Sequence, residues 1–162
     1  MPDHVSRIQD EWRRERPDLD PRPQGVFGRL HRLANALTEQ LEVVYRRHGL
    51  TEGEFDVLAA LRRAGAPFER TPGELSNHTM VTTGAMTKRV DRLVAAGLVT
   101  RRPAADDGRS RVVALTPAGR ALIDDAFTEH LANEARLLAA LPEQDAVQLE
   151  RILTTWLAAL DE

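Results

Sequence analysis

TPGELSNHTMVTTGAMTKRVDRLVAAGLVTRRPAADDGRSRVVALT, residues 71–116, decides the fold of this chain, because it predicts a helix, a turn, a second helix and a hairpin in that order. Thr71, Pro72 and Glu74 form the start of the first helix. The threonine can cap the helix, the proline fits its first turn, and the glutamate can reach back to close a capping box. A short helix is therefore predicted to begin at Pro72.

The second predicted helix begins at Thr82 or Thr83, whose hydroxyls can cap free backbone amides, and Gly97 closes it. Four apolar side chains recur at helical spacing and are expected to face inward: Met86, Val90, Leu93 and Val94. The opposite face carries side chains that are small or polar: Thr83, Gly84, Thr87, Lys88 and Asp91. Such a face lets a helix come close to base edges in the major groove of DNA.

Two short segments rich in β-branched residues follow, 98–102 and 111–115, on either side of the polar link AADDGRS. This pattern predicts a two-stranded hairpin. Four arginines give it positive charge: Arg101, Arg102, Arg109 and Arg111. A helix pair followed by a basic hairpin is typical of a DNA-reading module with a wing.

Charge is distributed unevenly along the chain. The net charge is −3 overall, but residues 84–111 carry +4, so the remaining residues carry −7. An isolated basic run is usually a solvated surface, whereas this one coincides with the helix pair and the hairpin. A basic reading head on an acidic body favours one orientation on DNA, with an affinity that falls steeply as salt rises.

Three longer motifs connect the reading module to its surroundings: RLVAAGLV at the end of the second helix, DDGR at the wing tip and LTPAGRAL after the wing. With the order of the elements, they make the chain similar to the MarR family of winged helix-turn-helix regulators over nearly its whole length. The resemblance implies a homodimer whose reading lobes are carried by a base of N- and C-terminal helices. In many members a small anionic or aromatic ligand releases the DNA.

The rest of the chain is predicted to be helical, which gives one mostly α domain with a small β-hairpin wing. Apolar residues recur by steps of three and four between Val26 and His48, and Thr51 and Glu54 form a second capping box. Pro117 and Pro142 open two C-terminal helices with large apolar stripes, which suit a symmetric dimer base. The assigned regions are an extra N-terminal helix and linker (1–25), dimerisation helices (26–50 and 117–162) and the winged helix-turn-helix lobe (51–116).

Two identical lobes are expected to read a palindromic operator with half-sites about one helical turn, ~34–36 Å, apart. Groove or base contacts are assigned to Thr82, Thr83, Thr87 and Lys88, and phosphate contacts to Arg92. Asp107 and Arg109 match the Asp-x-Arg element of the family's wing, where the aspartate orients the arginine. Arg89 has two open interpretations, a DNA contact or a salt bridge inside the lobe.

An additional N-terminal segment carries a ligand hypothesis. Asp3 can cap a helix on which Val5, Ile8 and Trp12 share a face, and PDLDPRP then breaks it. This segment resembles the urate-responsive branch of the MarR family, and the resemblance implies a ligand pocket formed by Trp12, Asp56 and Arg101. An indole can stack on a flat ring and an arginine can pair with an anion, so a urate-like or phenolic or carboxylate effector is expected.

The alternative interpretation of these three residues is structural. Trp12 then attaches the added helix to the body, Arg101 contacts phosphate and Asp56 forms a salt bridge. Ala64 departs from the pattern of that branch, which has a polar residue there, and the departure leaves the identity of the ligand open.

Several other classes of protein are disfavoured by composition. The chain has no cysteine, its five histidines are scattered, and it shows no nucleophile pair and no glycine-rich phosphate loop, so neither a metal site, a cofactor nor an enzyme is predicted. The sequence has no apolar run of ~20 residues and its start lacks a signal peptide, so a cytoplasmic protein without a membrane span is expected. The alternatives that stay open are a protein-interaction module without its own operator and a regulator without an effector.

Overall fold

The computed structural model describes residues 3–79, 83–103 and 111–160, and at residues 78 and 83–85 it describes the backbone alone. Contacts divide the chain into two compact units, Met1–Val43 and Val44–Glu162. The elements in chain order are α1 (His4–Glu15), α2 (Arg22–Arg47), α3 (Glu52–Arg62), β1 (Glu69–Arg70), α4 (Pro72–His78), α5 (Thr83–Ala95), β2 (Val99–Pro103), β3 (Arg111–Leu115), α6 (Pro117–Leu138) and α7 (Glu143–Ala158).

The first unit holds α1 against the N-terminal part of α2. Asp3 caps α1 as predicted, because its Oδ1 accepts the Ser6 N–H at 2.8 Å, and its carboxylate also accepts from Nε and Nη2 of Arg29 at 2.9 Å each. The pKa of Asp3 is lowered to about 2, first by the Ser6 hydrogen bonds and then by Arg29. Gln9 is buried and its Nε2 donates to the Pro21 carbonyl at 2.8 Å. Helix α1 is thus held at its N-terminal cap and at its middle.

The helix starts of the second unit are those that the sequence predicts. Thr51 and Thr71 each close a capping box, with Glu54 and Glu74 as the returning side chains. Thr116 caps α6 by accepting the Gly119 N–H at 3.0 Å.

Helix α2 begins at Arg22, four residues before the predicted Val26, where the Asp20 carboxylate accepts the Arg22 N–H at 3.0 Å.

The predicted hairpin is present, and it belongs to a three-stranded antiparallel sheet of order β1–β3–β2. Strand β3 is central: Val99 pairs with Leu115 on one side and Glu69 pairs with Ala114 on the other. Strand β1 was not predicted, because two polar residues carry no alternating pattern.

The core of the second unit is built around α3, where Val57, Leu58, Ala60 and Leu61 are fully buried. The other large side chains that are fully or almost fully buried come from α4, α5, α6 and the sheet: Leu75, Met86, Val90, Leu93, Val99, Val113 and Ile123. The prediction that Val94 faces inward is wrong, because it is 38% exposed. At about 100° per residue Val94 lies roughly 80° around the helix from Met86, at the edge of the buried stripe.

Helices α6 and α7 leave many apolar side chains uncovered. Helix α7, described in full, has no buried residue. The exposed large side chains of these two helices and the segments that follow them are Phe127, Leu131, Leu138, Leu141, Val147, Ile152, Leu153, Leu157 and Leu160. Within the described ranges, no helix has both the length and the apolar character needed to cross a bilayer.

Candidate nucleic-acid interface and effector site

The outward face of α5 is the first part of the candidate interface. Thr87 and Lys88 are exposed on it, as the sequence predicts. Thr83 opens the helix, but only its backbone is described, and Thr82, Asp107 and Arg109 lie outside the described residues. The face that the structure does describe therefore offers a hydroxyl and an ammonium group at the surface.

Arg92 connects α5 to the start of α3. Its Nε lies 3.0 Å from Oε1 of Glu54, while its side chain stays 61% exposed. Glu54 itself is buried, and its Oε2 accepts from the backbone N and the Oγ1 of Thr51 at 2.9 and 2.8 Å. One carboxylate thus closes the capping box of α3 with one oxygen and holds α5 with the other.

Arg89 lies against the first turn of α3, directly over Gly53. A Cβ added to Gly53 would overlap the guanidinium of Arg89, so only glycine leaves room for the side chain in this position. Nη1 of Arg89 is buried and has no hydrogen-bond partner among the described residues. The side chain of Arg89 therefore lies inside the lobe and packs against α3. It forms no short ion pair with a described residue.

Asp56 is half-buried on α3, one turn after Gly53. Burial raises the pKa of its carboxyl, and this effect outweighs the opposing attraction of Arg89, Arg63 and His130. A carboxylate whose charge is opposed by its surroundings, next to several cationic or imidazole groups, is typical of a functional site.

An aromatic cluster borders this region, and the sequence did not single it out. The Phe55 ring lies 4.5 Å from the ring of Tyr45 and 4.9 Å from that of His130, and the Phe127 ring lies 5.9 Å from His130, all between ring centroids. Nδ1 of His130 is buried without a partner among the described residues, although its Nε2 lies 3.1 Å from Glu134. The spacing of Phe127 and His130 on α6 was the available signal, but Phe55 and Tyr45 come from distant segments.

Arg101 connects the wing to the reading helix. Its Nη1 lies 2.5 Å from Oδ1 of Asp91, and its Nη2 donates to the Thr87 carbonyl at 3.4 Å. Arg102, the next residue, pairs with Glu69 across the central strand. The structure therefore gives Arg101 partners on α5, while the cations that act electrostatically on Asp56 come from α5, α6 and the residue after α3.

Trp12, the third residue of the predicted ligand pocket, lies on α1 in the first unit and is 46% exposed. Asp56 and Arg101 both lie in the second unit. Trp12 thus belongs to a different unit from the other two residues of the predicted pocket.

Comparison with known proteins identifies the fold and the family. The sequence model of the MarR family matches residues 48–110. The chain is 40% identical over 149 residues to the HTH-type transcriptional regulator PecS of Dickeya dadantii, covering 92% of this chain and 90% of the relative. It is 32% identical over 134 residues to the HTH-type transcriptional repressor Rv2887 of Mycobacterium tuberculosis, covering 83% and 93%.

Among solved structures, the chain is similar to a mutant MarR of Escherichia coli complexed with operator DNA. The TM-score is 0.71 at 28% identity, with 90% of this chain and 97% of that chain covered. The mostly helical fold with a small antiparallel sheet and the winged helix-turn-helix lobe are thereby confirmed.

Proposed function

The chain belongs to the MarR family of DNA-binding transcriptional regulators, and on that premise we propose that it represses transcription as a homodimer. In this proposal it binds a palindromic operator and releases it when a small anionic or aromatic ligand binds. The observation that supports DNA binding best is the exposed face of α5 with Thr87 and Lys88, placed beside a wing strand that carries Arg101 and Arg102. The relative Rv2887 is named a repressor, which supports repression as the direction of control.

In the proposed complex α5 enters the major groove. Thr82, Thr83, Thr87 and Lys88 contact base edges or the groove walls, and Arg109 follows the minor groove with Asp107 as its orienting carboxylate. Arg92, still exposed beyond its Glu54 pair, contacts phosphate. Arg89 acts from within the lobe by fixing α5 on α3.

The proposed dimer covers the apolar side chains of the C-terminal helices. Val147, Leu157 and Leu160 are between 63% and 73% exposed, and a water-facing patch of this kind is the usual mark of an interface. A second copy of the chain, related by a two-fold axis, would bury the same residues on both sides.

The proposed effector site consists of Trp12, Asp56 and Arg101, with Arg89 and His130 beside the Asp56 carboxyl. An anion that pairs with Arg101 competes with Asp91 and the Thr87 carbonyl, which are the groups that hold β2 to α5. An anion near Asp56 also disturbs the position of Arg89. Both effects shift α5, which lowers the population of the DNA-binding state.

The test of DNA binding is a gel-shift titration on the promoter region of the chain's own gene, repeated at several salt concentrations. Lys88→Ala removes one positive charge from the DNA-facing side of each lobe, so it is expected to weaken binding and to reduce the salt slope of the dimer by about 2. Arg136→Ala, an equal loss of charge on α6, is the matched control and should leave the slope unchanged. The absence of any specific shift at moderate salt would contradict the proposal and favour a protein-interaction module.

The effector is tested by adding urate, salicylate and other small aromatic or carboxylate anions to the bound complex. Release by one of these compounds identifies the chemical class of the effector. Trp12→Ala should keep the operator affinity but blunt the release. An unaltered ligand response in that variant would remove Trp12 from the site.

A further inference from the structure

The first turn of α3 with its cap, residues 51–54, is the place where one flank of α5 meets the rest of the lobe. Arg89 lies over Gly53, and one helical turn later Nε of Arg92 lies 3.0 Å from Oε1 of Glu54. Residues three apart in a helix are neighbours on its surface. Two successive arginines of α5 therefore rest on the same turn of α3.

Glu54 has a carboxylate where its capping box needs only one oxygen. Its Oε2 accepts from the backbone N and the Oγ1 of Thr51, and the Thr51 Oγ1 accepts the Glu54 N–H at 3.4 Å. Glutamine closes such a box as well as glutamate does. Glu74 closes the box of α4 at an exposed position, whereas Glu54 is buried. Because a buried carboxylate costs free energy unless a cation pairs with it, the charge of Glu54 is explained by Arg92 and not by the cap.

Arg92 lies between two sides of α5. At about 100° per residue it is roughly 40° around the helix from the exposed Lys88, and roughly 60° from Arg89 on the flank that packs on α3. A guanidinium has five N–H donors, so a pair through Nε leaves the terminal amino groups for a second acceptor. The Glu54 pair thus holds a cation at the edge of the face assigned to the major groove, where backbone phosphates flank a bound helix.

We propose that Glu54 is a positioning residue for DNA binding, which holds the guanidinium of Arg92 in place for a backbone phosphate. This inference rests on the proposed function, because it requires α5 to enter the major groove. The terminal amino groups of Arg92 donate to the phosphate while its Nε stays on Glu54. A side chain that is held in its bound position before association loses less conformational entropy on binding. The position of this contact is therefore set from α3, a helix to which no DNA contact is assigned.

The test is a double-mutant cycle on the affinity for the promoter fragment of the gel-shift titration. In the parent protein, Arg92→Ala is expected to weaken binding about tenfold, because a charge-assisted hydrogen bond is lost. In Glu54→Gln the box can still close but the guanidinium is released, so Arg92→Ala should then cost less than about threefold. If Glu54 merely neutralised Arg92, the cost would instead be larger in Glu54→Gln, because the arginine would regain its full effect on the phosphates.

Glu74→Gln is the matched control, because it makes the same substitution in the capping box of α4. Arg92→Ala should cost as much in that background as in the parent protein. Thermal unfolding shows whether each variant is folded, and Arg92→Lys decides the question in the case that Glu54→Gln does not fold. Lysine keeps the charge, but its single ammonium lacks the fork that serves Glu54 and a phosphate together, so binding should weaken nearly as much as in Arg92→Ala.

Three results would overturn the role of Glu54. These are an unchanged affinity in Arg92→Ala, a cost of this change that is equal or larger in Glu54→Gln, and an Arg92→Lys variant that binds like the parent protein. A parent protein without a specific shift on the promoter fragment would contradict the proposed function itself. The two failures are therefore distinguishable.

Discussion

At the scale of single residues, the partly buried environment of Asp56 disfavours the charged form of its carboxyl. Burial raises the pKa of its carboxyl above the ordinary 3.8 despite Arg89, Arg63 and His130. A carboxyl with a raised pKa in the folded state binds its proton more tightly there than in the unfolded chain. It therefore contributes stability below pH 3.8, and this contribution is lost as the pH rises through the folded pKa.

Asp56→Asn is therefore expected to raise the free energy of unfolding at pH 7, because the amide has no charge to desolvate. The gain over the parent protein should be small near pH 3 and should grow as the pH passes through the pKa of the folded carboxyl. Urea unfolding between pH 3 and pH 7 measures it. Asp125→Asn removes an exposed carboxyl of α6 as a control, and an equal gain there would contradict the role of burial at Asp56.

Residue identities were predicted where a local motif carries them, and the contacts between distant residues were not. The resemblance to the urate-responsive branch singled out Asp56 and Arg101. The groups that act on Asp56 come from α5 and α6, at Arg89 and His130, and no local spacing relates them. The ion pair between Arg101 and Asp91 depends likewise on how β2 lies against α5.

At the scale of elements, α3 and α4 begin with the same capping box but differ in the surroundings of their second residue. Each has a threonine cap, a glutamate that closes the box, and a glycine at the second helical residue, Gly53 and Gly73. Gly53 faces the Arg89 guanidinium, while a Cβ on Gly73 would meet only the Thr71 hydroxyl, at 4.0 Å. The two glycines therefore form a matched pair.

Gly73→Ala is expected to be neutral or to stabilise by up to ~1 kcal/mol, because alanine favours helix over glycine. Gly53→Ala should gain less stability than Gly73→Ala, because its Cβ overlaps the guanidinium of Arg89 and this side chain has to shift. Thermal and urea unfolding measure both. An equal gain in the two variants would contradict a cost for moving Arg89 from its place over Gly53.

Elements with strong end signals were predicted within a few residues, and the weakly marked ones were not. The two capping boxes, Pro117 and Gly97 define their helices from local chemistry, and Gly97 has the positive φ of 70° that a helix-ending glycine supplies. Strand β1 forms because it pairs with the edge of β3 that β2 leaves open. That pairing depends on the tertiary fold and has no signal in the local sequence. The exposure of Val94 likewise depends on where the neighbouring elements end.

At the scale of the whole molecule, the uncovered faces of α6 and α7 predict the oligomeric state. Leu157→Glu places a charge on a side chain that is 63% exposed in the single chain and buried in the proposed dimer. The parent protein should sediment at twice the 18.1 kDa mass of the chain, and the variant should sediment as a monomer. Operator affinity should fall with it by more than tenfold, because each lobe then binds one half-site alone.

Gln148→Glu is the control for this experiment, because it adds the same charge at an exposed polar position of α7. Its sedimentation and operator affinity should match those of the parent protein. A monomeric parent protein, or a dimeric Leu157→Glu, would contradict the assignment of these helices to the interface.

The central position of β3 has a mechanical consequence. Hydrogen bonds tie it to β2 on one edge and to β1 on the other, and α4 begins two residues after β1 ends. One sheet therefore joins the base of the wing to the start of the helix pair, and in the proposed complex it sets the distance between the DNA contacts of the two. We expect over- or underwound DNA to need deformation before it matches this spacing, and the energy of deformation then contributes to the choice of operator.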